Sequence, residues 1–226
     1  MIEWIIGAAL LAGGLFGTGK TKRPNSSPAS TPCEDFPAKV AEWRSHWQPT
    51  VDHSRWIPKS MASRIVARFP PPKRSGISLR WLGGDSVEQE LLAEFAAHNV
   101  AYLARQKERL KPFFDTVEKN PLTDDQMDGC ICMDDAVQIV AAAGSGKTST
   151  MVARVGYALH EGLVKPEQIL VLAFNRSVAE ELQSRVNARL TGFDGIGAVT
   201  IKTFNAFGLG VIGKATGRKP SLAEWA

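Results

Sequence analysis

Five consecutive residues, Gly144-Ser145-Gly146-Lys147-Thr148, constrain this chain more than any other stretch. An apolar hexapeptide, Ala136–Ala141 (AVQIVA), precedes them, and Thr148–His160 (TSTMVARVGYALH) continues with apolar residues at helical spacing. Two glycines beside a lysine at the mouth of a helix let the backbone close on phosphate oxygens. The first helical turn offers them unpaired N–H groups. The pattern therefore predicts a short buried strand over 136–141, a phosphate-cradling loop, and a helix over 146–160. In such a loop Lys147 neutralises the β- and γ-phosphates of a nucleotide, and the Thr148 hydroxyl holds Mg²⁺. A plain Ala/Gly-rich turn at a helix start leaves the lysine and threonine of this run unexplained.

The rhythm after residue 121 is strand, loop, helix. Gln168–Phe174 (QILVLAF) reads as a second strand and Ser177–Leu190 as a helix with Ala179, Leu182 and Val186 inward. Ala198–Thr203 reads as a third strand. This βαβαβ order predicts an α/β fold with a parallel sheet and crossover helices. A second stretch, Gly14-Leu15-Phe16-Gly17-Thr18-Gly19-Lys20-Thr21, matches the phosphate-loop pattern G-x-x-x-x-G-K-[ST] in full. Its continuation, KRPNSSP, cannot form the helix such a loop must open, so it is set aside.

The front of the chain differs in charge and texture. Residues 20–80 carry 12 Lys or Arg against 4 Asp or Glu, whereas residues 81–226 carry 15 against 18. The basic excess thus belongs to the front third, where phosphate or anionic-lipid surfaces are the expected partners. Residues 1–19 form an apolar segment (IEWIIGAALLAGGLF over 2–16) followed by Lys20, Lys22 and Arg23. It reads either as an N-terminal membrane anchor with the remainder cytoplasmic, or as a buried or partner-facing segment. In the first reading residues 1–35 meet an anionic membrane surface. Residues 20–35 are a Pro/Ser/Thr-rich linker, and 36–120 an accessory region, helical over 86–120 with Leu91, Leu92, Phe95, Val100 and Leu103 as its apolar stripe. Pro112 is expected to break or kink that helix. Trp43, Trp47, Trp56 and Trp81 stand among basic residues, which suits either aromatic core anchors or rings that stack on single-stranded nucleic acid. Cys33, Cys130 and Cys132 are too few for a disulfide scaffold, favour a reducing compartment, and lack a second ligand pair for zinc.

Four segments in order carry a family resemblance: Leu122-Thr123-Asp124-Asp125-Gln126; Ala141-Ala142-Ala143-Gly144-Ser145-Gly146-Lys147-Thr148; Ile169–Leu182 (ILVLAFNRSVAEEL); and Thr203-Phe204-Asn205-Ala206-Phe207. They resemble the Q-motif and motifs I, Ia and Ib of UvrD/Rep-type superfamily 1 DNA helicases, over about residues 97–215. The run-in, His98–Tyr102 and Phe113-Phe114, is similar to that of the helicase IV branch. The resemblance implies a partial RecA-like P-loop NTPase domain over 121–226, ATP and Mg²⁺ as cofactors, and single-stranded or partly duplex DNA as partner. It implies that Gln126 reads the adenine edge and that Ala141, Ala142, Ala143, Gly144, Ser145, Gly146, Lys147, Thr148 and Ser149 surround the phosphates, with Lys147 and Thr148 in catalytic roles and Thr148 on the metal. It further implies that Phe174, Asn175, Arg176, Thr203, Phe204 and Asn205 line a single-strand track. Asn205 stands where many relatives carry His, and Phe174 and Phe204 also suit a core role at strand ends.

The family also uses an Asp-Glu pair, arginine fingers and a second RecA-like domain. No Asp-Glu dipeptide occurs in this sequence. The expectation is therefore the N-terminal part of an ATP-dependent DNA helicase, truncated after motif Ib, with the remainder encoded downstream. An isolated chain of this kind is expected to show no DNA-stimulated ATPase above a Lys147→Ala control. The alternatives are a binding module that takes nucleotide or DNA without turnover, and a membrane-tethered partner-binding protein.

Overall fold

Residues 36–72 and 87–218 are described by a computed structural model of the chain. The apolar segment, the linker, the Gly14–Thr21 match, Cys33 and Trp81 lie outside the described residues. Among the described residues no helix is long and apolar enough to cross a membrane.

Helices α1 (Phe36–Trp47) and α2 (Ser60–Arg68) pack on the first half of the long helix α3 (Val87–Arg109). Their shared core is Trp43, Trp47, Val51, Ile57, Ala62, Ile65, Leu91 and Phe95. Trp43 and Trp47 are buried, with ring centroids 5.7 Å apart, and the Trp43 indole N–H donates to the Phe69 carbonyl at 2.8 Å. These two rings are core anchors, because a ring enclosed on all sides has no face left for a base to stack on.

The stripe that α3 buries is Leu91, Phe95, Asn99, Tyr102 and Gln106, while Val100 is exposed. The expected place of Val100 is therefore corrected by one step around the helix. The reason is Asn99, whose amide exchanges two hydrogen bonds with the Ile57 backbone, accepting at 2.9 Å and donating at 2.8 Å. That pairing satisfies a buried polar side chain and turns the helix accordingly. The chain breaks at Leu110, and α4 (Lys111–Thr116) starts anew with Pro112 in its first turn, where a missing N–H is harmless.

Helix α5 (Asp124–Ile131) opens with a capping box: Thr123 Oγ1 accepts from the Gln126 N–H, and Gln126 Oε1 accepts from the Thr123 N–H. Then follow α6 (Lys147–His160), β1 (Leu170–Ala173), α7 (Arg176–Arg189), β2 (Thr200–Thr203) and α8 (Phe204–Thr216). Strands β1 and β2 are parallel, with Leu170 opposite Thr200 and Ala173 opposite Thr203. The larger core gathers Tyr102, Phe114, Ile131, Val152, Tyr157, Val171, Leu182, Val186 and Leu190, so α3 contributes to both cores and joins them. The Tyr102 and Tyr157 hydroxyls lie 3.0 Å apart inside it. Cys130 is buried there, its Sγ donating to the Thr150 carbonyl, and burial pushes its thiol up to about 12.

The α/β class with parallel pairing agrees with expectation, but the described sheet has two strands. The strand expected at Ala136–Ala141 is corrected: this stretch is irregular, and Val140 is 89% exposed. A strand needs a hydrogen-bonded neighbour, and the only ladder among the described residues joins β1 to β2. Just before it, Asp134 and Asp135 tie to α2. Asp134 accepts from the Lys59 N–H, and Asp135 accepts from the Ser60 N–H and hydroxyl at 2.9 and 2.7 Å. The Ser60 hydrogen bonds hold the Asp135 carboxyl below its ordinary value.

Candidate functional site

The loop before α6 is shaped by its glycines. Gly144 and Gly146 have φ of +77° and +86°, the left-handed region that favours glycine. Ser145 folds back, its N–H and hydroxyl both donating to the Ala142 carbonyl. Lys147 is the first residue of α6, and its ammonium donates to the carbonyls of Ala141 (3.0 Å) and Ala142 (2.6 Å). The loop thus holds a cation over its own centre at a helix N-terminus, a place that attracts an anion. An arriving phosphate would take Lys147 from two neutral carbonyls and offer a charge-assisted bond instead.

Gln126 reaches this loop from α5. Its Nε2 donates to the Ser145 carbonyl at 2.9 Å while its Oε1 serves the capping box. Both ends of the amide are therefore engaged within the protein, one on the cap and one on the loop. A cavity of about 350 Å³ opens beside it, lined by Thr123, Asp125, Gln126, Ser145 and Lys147 with Ile139 and Val140 as an apolar wall. A second hollow, about 430 Å³, shares Lys147 and Ile139 and continues to Asp134, Met151 and Arg154. Thr148 is half-buried in the first turn of α6. The Ser149 hydroxyl is turned the other way and accepts from the Arg185 guanidinium at 2.9 Å. No group of three His, Cys, Asp or Glu among the described residues is placed to hold a metal ion. A Mg²⁺ here would be held by Thr148 together with oxygens of the nucleotide, the habit of a cation that dehydrates reluctantly.

The other sequence-predicted residues gather at one edge of the sheet. Parallel pairing ends β1 at Ala173 and β2 at Thr203 side by side, so Phe174 and Phe204 follow at neighbouring positions. Both are exposed, at 92% and 61%, which removes the core reading for them. Asn175 and Thr203 use their side chains as helix caps: Asn175 Oδ1 accepts from the Val178 N–H at 2.9 Å, and Thr203 Oγ1 from the Ala206 N–H at 3.2 Å. Their side-chain oxygens serve α7 and α8, and what they present outward is two helix N-termini. Arg176 pairs with Glu180 at 2.8 Å, but both are exposed, so the pair is weak and the guanidinium can leave it. Between α7 and β2 lies a groove of about 460 Å³ that includes Arg176, Gln183, Lys202 and Thr203. Asn205 is exposed in the first turn of α8.

Sequence reasoning missed Arg185 and Glu118, which join α7 to the segment after α4 at 2.8 Å. Partners 67 positions apart leave no local signature.

Comparison with known proteins adds to this geometry. Residues 122–223 match the model of the UvrD/REP helicase N-terminal domain. The chain is 38% identical over 127 residues to DNA helicase IV of Escherichia coli (strain K12), an alignment covering 56% of this chain and 18% of that protein. It is 35% identical over 89 residues to the ATP-dependent DNA helicase UvrD2 of Mycobacterium bovis, covering 38% of this chain and 13% of the relative. It is 34% identical over 65 residues to a probable DNA helicase II homolog of Mycoplasma capricolum, covering 29% of this chain and 9% of the relative. The chain thus spans less than a fifth of the length of these relatives. Over residues 122–223 the chain is thus similar to the N-terminal domain of the UvrD/REP helicases, and its alignment with DNA helicase IV supports the same likeness.

Proposed function

We propose that this chain is the nucleotide-binding front of an ATP-dependent DNA helicase, taking ATP with Mg²⁺ at the Gly144–Thr148 loop and single-stranded DNA along the edge at Phe174 and Phe204. The observation that carries the reading is the loop: two left-handed glycines and Lys147 at the mouth of α6, beside the Gln126 amide and an open cavity. In it, the N–H groups of the first turn and the Lys147 ammonium hold the phosphates, and Thr148 holds the metal with them. The base would lie against Ile139 and Val140, within reach of Gln126. To read an adenine edge, Gln126 must give up its bond to Ser145 or to Thr123, so base binding and loop shape are linked through one side chain. Hydrolysis, translocation and unwinding would draw on parts of the relatives that this chain does not align with.

The DNA half of the proposal has a direct test. Phe174→Ala removes a ring that touches almost nothing in the protein, so stability should move by less than about 0.5 kcal/mol. A base stacked on such a ring is worth about 1–3 kcal/mol, so affinity for a labelled single-stranded oligonucleotide should fall by roughly 5- to 150-fold. Fluorescence anisotropy at constant salt reads this directly, and an unchanged affinity in both Phe174→Ala and Phe204→Ala removes the stacking role.

A further inference from the structure

Arg185 stands late in α7 and touches three groups that the sequence keeps far apart or on its own helix. One terminal nitrogen donates to Glu118 Oε2 at 2.8 Å and to Ser149 Oγ at 2.9 Å; the other reaches Glu181 Oε1 at 3.3 Å. The Glu118 side chain is only 4% exposed, its second oxygen is buried with no hydrogen-bond partner among the described residues, and Arg189 approaches the first at 4.0 Å. The hydrogen bond from Arg185 to Glu118 raises the guanidinium above its ordinary value, so the charge is fixed at any working pH. Ser149 is the residue after Thr148, in the first turn of α6.

We propose that Arg185 is a positioning residue for the phosphate loop: anchored on buried Glu118, it holds Ser149 and thereby fixes the first turn of α6 that carries Lys147 and Thr148. A planar guanidinium suits this task because Glu181 on one terminal nitrogen fixes the direction in which the other meets the carboxylate and the hydroxyl. Replacing it by lysine keeps a charge for Glu118 but loses the fork. A half-buried ion pair adds little net stability against an apolar pair of equal size, and its value here is geometric. The first turn of α6 is thereby tied to the later half of α7. The inference rests on the proposed nucleotide site, which it deepens by naming what holds the site in shape.

The test uses the chain itself with Ser149→Ala, Arg185→Lys and the double variant. Ser149→Ala removes the hydrogen bond to α6, Arg185→Lys loses the Glu181 brace that directs it, and both leave Glu118 an available cation. Titration with a fluorescent ATP analogue and Mg²⁺ should show each single variant weakened about three- to tenfold, a part of the worth of one hydrogen bond from a charged donor, since the lost bond acts on the site through the turn. The double variant should be no weaker than the weaker single, since both act on the same link. Hydrogen exchange in the free protein should quicken at residues 144–150 and stay unchanged in the core of α7. Wild-type affinity in both single variants, or exchange that quickens throughout the chain, overturns the proposal. If the wild-type chain binds no analogue, the nucleotide reading fails by itself. The exchange arm then still decides whether Arg185 holds this turn, and unchanged exchange at 144–150 overturns it.

Discussion

Gly146→Ala is expected to be the most damaging single-methyl change in the nucleotide site. Gly146 has a φ of +86°, where a side chain costs about 1–2 kcal/mol. An added Cβ would also meet Gln126 Nε2 well inside van der Waals contact. Gln126 cannot retreat cheaply, because its amide bonds Ser145 at one end and caps α5 at the other. The substitution should therefore lower stability by about 1–3 kcal/mol and weaken binding of an ATP analogue by at least about tenfold. Gly144→Ala is the control: its φ is +77°, but nothing lies within 4 Å of the new Cβ, so it should show only the conformational cost. Gln126→Ala in the Gly146→Ala background should recover part of the stability. Thermal melts and analogue titrations on the four proteins check the ordering, and equal effects at Gly144 and Gly146 would contradict the role given to Gln126.

Trp47→Ala is expected to have the largest effect on stability. Trp47 is fully buried, edge-on to Trp43 at 5.7 Å and to Phe95 at 6.1 Å, and it joins α1 to α3. Removing a buried indole costs about 3–5 kcal/mol in lost transfer energy and cavity. That is a large share of the roughly 5–15 kcal/mol that hold a domain together. Urea unfolding of the wild type and the variant measures it. A stacking residue would behave in the opposite way, leaving the unfolding midpoint in place and lowering DNA affinity. Residues 36–69 should lose exchange protection first, since their core is separate from the one under the sheet.

The elements that could be read from the sequence are those whose cause is local. Helix α6 is announced by glycines, a lysine and a 3.6-residue apolar rhythm, and it begins at Lys147. Strands β1 and β2 are short, but each finds the other, so the apolar pattern and the ladder agree. The stretch 136–141 has the same texture and fails, because its pattern describes what a strand could bury and not which strand would pair with it. The break at Pro112 is likewise local, whereas the burial of Asn99 in place of Val100 depends on the Ile57 backbone, 42 positions away. The candidate site divides in the same way. Gly144, Gly146 and Lys147 stand where the motif puts them, and Phe174 and Phe204 emerge at adjacent strand ends. The inward turn of Ser149 and the reach of Gln126 arise from partners 36 and 19 positions distant, the Arg185 guanidinium and the Ser145 carbonyl. No window on the sequence contains them.

The central claim is that the loop over Lys147 is a nucleotide site, and one titration tests it most directly. A fluorescent ATP analogue with Mg²⁺ is added to the chain and to Lys147→Ala, with melts confirming that both are folded. Lys147 is exposed and, among the described residues, its ammonium bonds the carbonyls of Ala141 and Ala142, so the variant should fold as the wild type does. A charged donor on a phosphate is worth about 1.5–3 kcal/mol, so saturable binding by the wild type should weaken by about 10- to 150-fold in the variant. Equal binding by both proteins, or no binding by either, would contradict the account.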